Sequence, residues 1–143
     1  VIVGEPEWED LTINLPLKVN GDRKHRTVVQ STGKKATTNV HLAGRKKGLS
    51  YLIVKPETGY THQIRAHLAA EGFPIFGDLL YKPIAERNFP ERFSEISVNN
   101  VVGSRLYLHA QSIVFFHPVT QSEMMMEAPL DDEFLAVRTQ FQQ

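Results

Sequence analysis

The residues best suited to chemistry fall in one stretch, KPETGYTHQIRAHLAAEGFPIFGD, residues 55–78. The apolar run LSYLIV before it reads as a strand, and RAHLAAEG reads as a helix that stops at a glycine. The polar cluster therefore sits at a strand-to-helix corner. His62 and Arg65 are three residues apart, which places both on one helix face. Ile64 and Leu68 fall on another face and fix the helix to the sheet. Thr58 or Thr61 is the expected N-cap and Gly59 the tight turn, so the first-turn amides make an anion-friendly end. A guanidinium there is suited to gripping a carboxylate or phosphate through two parallel hydrogen bonds. From spacing alone, a structural salt bridge within the domain remains the simpler account of Arg65.

Other chemistries find no pattern. Six histidines, at 25, 41, 62, 67, 109 and 117, invite a metal site. His62 and His67 are five apart, however, and do not share a face as an H-E-x-x-H pair does. His109 and His117 read as packing or turn histidines. There is no G-x-S-x-G elbow and no phosphate-binding P-loop. Asp78, Asp131 and Asp132 have turn or cap explanations, and Met124–Met126 read as strand packing.

The corner needs elements to hold it. VIV at 1–3, LTINLPL at 11–17, RTVVQ at 26–30, ATTNVHLA at 36–43 and LSYLIVKP at 49–56 are separated by Gly, Asn and Asp turns. They predict an antiparallel meander. A helix is expected over 62–71. Residues 82–103 are polar and poorly patterned, and are read as a short helix and a loop. RLYLHAQSIVFFHP and SEMMMEAP read as a hairpin through PVTQ, and DDEFLAVRTQFQQ as a closing helix capped by Asp131. The expected fold is α+β and sheet-dominated, a mostly antiparallel mixed sheet with a few flanking helices.

At 143 residues and 41% apolar content the chain can bury one core, so a single domain over 1–143 is expected. It has no cysteine, no apolar run long enough to span a bilayer and no signal-peptide pattern. A soluble, cytoplasmic protein with no membrane partner is the expectation. The chain opens directly on VIVGEP without an initiator methionine, so its first strand reads as cut and polypeptide upstream is expected. Net charge is zero, yet Lys18 to Lys47 hold nine Lys and Arg against Asp22 alone. That basic lobe, with Lys34, Lys35, Lys46 and Lys47, is either a footprint for phosphates or a set of solvated turn ends.

KPETGYTHQIRAHLAAEGFPIFGDLLY resembles the signature of the RluA-type RNA pseudouridine synthases, a P-x-T-G-[RK]-T-H-Q-[IL]-R-x-H block followed by P-I-x-G-D-x-x-Y. RLYLHAQSIVFFHPVTQSEMMMEAPLDDEF is similar to that family's closing block. The resemblance implies a pseudouridine synthase-like fold, present in part. It also implies an isomerase that converts uridine to pseudouridine in ribosomal or transfer RNA with no metal or cofactor. In the family the catalytic aspartate stands in an H-R-L-D motif of an earlier half, and no HRLD occurs here. The chain is therefore expected to be the C-terminal part of the catalytic domain, inactive alone, with the missing N-terminal half as a partner. The family's motif arginine pairs with that aspartate, a role carried to Arg65. Tyr60, Thr61, His62, Gln63 and Ile64 become candidate RNA-facing or pocket-supporting residues. Tyr60 departs from the family's Arg or Lys, which puts one backbone contact in doubt. A non-catalytic RNA-binding module worked by the basic lobe is the alternative, and a purely structural domain of a larger enzyme a third.

Overall fold

The computed structural model describes residues 1–93 and 105–142. Its main sheet has four strands in the order β1-β6-β5-β2, every neighbouring pair antiparallel. These are β1 (Ile2–Val3), β2 (Asp10–Asn14), β5 (Thr37–Lys46) and β6 (Leu49–Pro56). β5 alternates, with Thr38, Val40 and Leu42 buried and His41 turned outward, so one face meets the core. Lys47 and Gly48 join β5 to β6, both with positive φ (53° and 76°), as a two-residue hairpin turn matched to strand twist requires.

Two short strands, β3 (Leu17–Lys18) and β4 (Val28–Val29), make a separate ribbon. The expected strand at 11–17 divides at Pro16, and the one at 26–30 is pared to two residues. Helix α1 (Gln63–Ala70) packs beneath the sheet, burying Leu68 with Ile13, Val40, Phe73 and Ile75. α2 (Lys82–Asn88) packs on α1 through Ala66, Ala69, Tyr81 and Ala85. The small side chains let the helices approach closely. A single 3₁₀ turn follows at Pro90–Arg92. The remainder of the loop expected before Gly103 lies outside the described residues.

The closing hairpin forms as β7 (Ser112–Phe116) and β8 (Glu123–Glu127), with the Gln111 carbonyl accepting from the Ala128 amide at 2.8 Å at its open end, but residues 105–110 are not part of its strands. The hairpin differs from expectation in packing. Met124, Met125 and Met126 are 38%, 62% and 57% exposed, and Ile113, Val114 and Phe116 are exposed as well. The methionines form a strand that pairs only with β7 in its two-stranded sheet among the described residues. α3 (Asp132–Thr139) ends the fold, its first turn capped by Asp131 accepting from the Phe134 amide at 2.8 Å. No helix among the described residues is long and apolar enough to cross a membrane.

Candidate active-site corner

Gln63 is the pin of the corner. Its side chain is 3% exposed, and its amide oxygen accepts from the Thr58 hydroxyl (2.8 Å) and the Tyr60 amide (3.2 Å). Its nitrogen donates to the Thr37 carbonyl and the Thr38 hydroxyl, both at 2.9 Å. All four of its hydrogen-bonding positions are filled within the chain. Thr38 in turn lies 2.8 Å from His67 Nδ1, and His67 Nε2 is 2.9 Å from the Leu15 carbonyl. The carbonyl can only accept, so Nε2 carries the proton and the Thr38 hydroxyl donates to Nδ1. Burial lowers the His67 pKa, against the raising effect of the Leu15 carbonyl.

Neither Thr58 nor Thr61 caps α1. Thr58 is engaged with Gln63 and the Thr37 amide, while the N-cap position belongs to His62, without a side-chain cap bond. The turn expected of Gly59 is made instead by His62, whose φ of 56° is left-handed, while Gly59 has ordinary φ and open space around it. A non-glycine residue in that region needs its surroundings to hold it there. The Tyr81 hydroxyl lies 3.2 Å from His62 Nδ1, with the two rings edge to face. That hydroxyl already accepts from the Thr27 amide at 2.9 Å, so its own proton points to His62 Nδ1. His62 is thereby held as the neutral Nε2–H form, and its pKa is lowered by burial first and by the Arg65 charge second, against a raising effect of Asp78.

Arg65 forms a two-pronged pair with Asp78: Nε to Oδ2 and Nη2 to Oδ1, both 2.8 Å. The Asp78 side chain is wholly inaccessible and that of Arg65 is 16% exposed. Asp78 Oδ1 also accepts from the Leu80 and Tyr81 amides at 3.0 and 3.1 Å, so the turn reading of this acid holds alongside its second task. Burial pushes its carboxyl up, but the Arg65 hydrogen bonds and the two amides outweigh it, leaving the pKa below the usual range. The guanidinium lies 4.9 Å over the Tyr81 ring. Its Nη1 makes no hydrogen bond among the described residues. Arg65 is among the residues that line a hollow of about 330 Å³, with Tyr60, His62, Ile64, Leu106 and Leu108.

A chain that gathers a braced arginine, a fixed neutral imidazole and apolar walls at one hollow can be compared with known proteins. Residues 1–70 match the model of the RNA pseudouridylate synthase family. The chain is 32% identical to ribosomal large subunit pseudouridine synthase D of Pseudomonas aeruginosa, over 87% of this chain and 38% of that protein. It is 33% identical to an RNA pseudouridine synthase of Zymomonas mobilis, over 94% of this chain and 56% of the relative. The chain belongs to the RNA pseudouridine synthase family. The solved structure of human RNA pseudouridylate synthase domain containing 1 aligns with a TM-score of 0.65 at 27% identity, covering 90% of this chain and 51% of that one. The synthase fold expected from sequence is thus found, and the chain spans about two fifths of the length of the first curated relatives it matches.

Against that family, the candidate residues divide by place. Tyr60, His62, Gln63, Ile64 and Arg65 line the hollow and Thr61 is exposed, but Gln63 is buried with no hydrogen-bonding position left for an outside partner. Lys34 sits 5.9 Å over the Tyr60 ring, next to exposed Lys35. Lys46 and Lys47 stand at the far end of the ten-residue β5, about 30 Å from the corner at strand rise. Of the remaining basic residues, Arg26 is bound to Asp22 and to the Leu80 carbonyl, and Arg45 to Glu9 and the Pro6 and Trp8 carbonyls. The basic stretch is therefore not one lobe in space. Asp78 and Tyr81 were the functional neighbours that residue spacing missed, since Asp78 lies thirteen positions beyond Arg65, past the end of α1 and the turn that follows it. The D-x-x-Y spacing of the second motif block was the available signal.

Proposed function

We propose that these 143 residues are the C-terminal part of an RNA pseudouridine synthase catalytic domain, and that Arg65 orients an aspartate supplied by polypeptide outside them. One observation carries this reading: Arg65 spends Nε and Nη2 on a buried carboxylate, leaves Nη1 without a hydrogen bond among the described residues, and lines an apolar hollow. Asp78 fixes the guanidinium without neutralising its reach, so a second carboxylate arriving at Nη1 is held ionised and aimed. Pseudouridine formation breaks the bond from ribose to the uracil nitrogen and rejoins the ring through carbon, which needs such a carboxylate and a uridine taken out of its stack. Ile64, Leu106 and Leu108 supply the apolar wall for the flipped base, and neutral His62 a single uncharged donor. Tyr60, Thr61, Lys34 and Lys35 meet the RNA, ribosomal or transfer, from the rim. The chain alone lacks the aspartate and is inactive.

The test is made on the complete enzyme. Arg65→Lys keeps the charge but loses the fork, so single-turnover rate falls by more than about tenfold, roughly 1.4 kcal/mol, while RNA affinity changes little in protein that remains folded. A rate within about threefold of wild type overturns the role of Arg65, and tritium release by the 143-residue chain above a no-protein control overturns its inactivity. The basic residues give a second reading of the same interface. Reversing Lys34 and Lys35 weakens RNA binding and flattens its salt dependence, whereas reversing Lys46 and Lys47 changes neither if the corner is the site. The reverse result favours a binding module worked from the other end of β5.

A further inference from the structure

Tyr81 is 1% exposed, yet three functional groups of the corner rest on it. Its amide donates to Asp78 Oδ1 at 3.1 Å, its ring lies against the Arg65 guanidinium at 4.9 Å, and its hydroxyl meets His62 Nδ1 at 3.2 Å. The direction of that last bond is set by Thr27. The Thr27 amide donates to the same hydroxyl at 2.9 Å, so the phenol oxygen accepts there. If it accepted from His62 as well, its own proton would be left without a partner in a buried site, which is costly. Burial pushes the phenol pKa up, so the proton to be donated is present throughout the neutral range. The other ring nitrogen is in the opposite situation. His62 Nε2 makes no hydrogen bond among the described residues, and none of their buried side-chain nitrogens and oxygens lacks a partner, so Nε2 is open to solvent. It belongs to a residue that lines the hollow.

We propose that Tyr81 is a positioning residue for the isomerisation, whose hydroxyl keeps the His62 proton on Nε2 so that His62 offers the uridine a donor and never an acceptor. The proposal rests on the reading that this hollow receives the target uridine. A histidine without such an anchor divides its proton between the two nitrogens. Here the ring is also packed edge to face on Tyr81, and the left-handed His62 backbone is tied through the Thr61 carbonyl to the Thr27 hydroxyl at 2.6 Å. Residues just before β4, α1 and α2 thus set the tautomer together. A donor-only nitrogen fits an acceptor oxygen, and a uracil carbonyl and an RNA phosphate share that chemistry. The ring is the partner assigned here, because Ile64, Leu106 and Leu108 wall the hollow with apolar surface suited to a base. A contact to the reacting ring is read in rate, one to the backbone in affinity.

Tyr81→Phe removes the hydroxyl and keeps the ring, so the support of Arg65 stays while the anchor of His62 goes. In the complete wild-type enzyme without RNA, the nitrogen NMR signals of the His62 ring show a neutral imidazole protonated on Nε2 alone. A mixed ring, or one protonated on Nδ1, overturns the proposal whether or not any variant folds. In folded Tyr81→Phe the Nδ1–H form appears, and the single-turnover rate at saturating enzyme falls at least about fivefold while RNA affinity stays within about twofold. In a His62→Ala background the same change costs less than about twofold, because the hydroxyl acts through the imidazole. An equal loss in both backgrounds makes Tyr81 a structural residue only, and a loss confined to affinity gives the donor to the RNA backbone; either result overturns the positioning role. If Arg65→Lys leaves the rate unchanged while Tyr81→Phe lowers it only when His62 is present, the role of Arg65 fails and that of Tyr81 stands.

Discussion

The corner around Gln63 and the hairpin β7–β8 have opposite economies of contact. At the corner, a buried amide, three threonines and a histidine satisfy one another, and an ion pair closes beside them, all within residues 37–78. On the hairpin, Ile113, Val114, Phe116, Met125 and Met126 are each more than half exposed. Apolar residues face out on both sides of that ribbon, since Ile113 pairs with Met126 and Val114 with Met125. A two-stranded ribbon is marginal by itself and gains its stability from what it packs on. The difference teaches that a site frame can be internally complete while apolar surface elsewhere in the same chain is still unmatched.

The comparison is broken most severely at Asp78. Asp78→Ala leaves Arg65 half-buried and unpaired, with an expected loss of about 3 kcal/mol or more, read as a drop in denaturation midpoint. The sign of its pH dependence follows from its lowered pKa. The pair's contribution is full above the unfolded carboxyl value near 3.9 and is lost as pH falls through the lower folded value, so the gap between wild type and Asp78→Ala closes only in acid. Gly77→Ala comes next. Gly77 has φ +79°, and an added Cβ would run into the Arg105 carbonyl oxygen. The Phe76–Tyr107 backbone contact has to shift, with about 2 to 3 kcal/mol lost on unfolding by urea. Met125→Lys sharpens the contrast from the other side. In the 143-residue chain it changes stability by less than about 0.5 kcal/mol, because the side chain touches little. In the complete protein a larger loss shows that this face has been covered.

Most of the fold was legible in the sequence where local signals agree with tertiary ones. The strand at 49–56, the helix from 63 and the Asp131 cap follow from alternation, from an alanine-rich run closed by glycine and from cap chemistry. What escaped was set by contacts distant in sequence. His62 takes a left-handed backbone that its residue type does not demand, because Tyr81 and Thr27 hold the neighbouring groups in place. Thr58 is a good cap by type, yet Gln63 recruits it first. Charge clustering along the chain suggested one basic lobe, but a ten-residue strand carries Lys46 and Lys47 away from Lys34 and Lys35. The motif placed Arg65 at the corner, while its pairing with Asp78 depends on the turn through Pro74 and Gly77.

The Gln63 frame has a consequence for how the enzyme would respond to acid. Its members Thr37, Thr38, Thr58 and Gln63 carry no group that gains or loses a proton between mild acid and mild base, and burial lowers the pKa of His67 within it, so that it is neutral at pH 7. Arg65 is held charged by Asp78, and His62 stays uncharged at neutrality. From neutrality upward the scaffold is therefore a spectator to titration. Under the proposed function, a rate profile measured between about pH 7 and 9 would report the reacting groups, with the surrounding corner contributing a flat baseline.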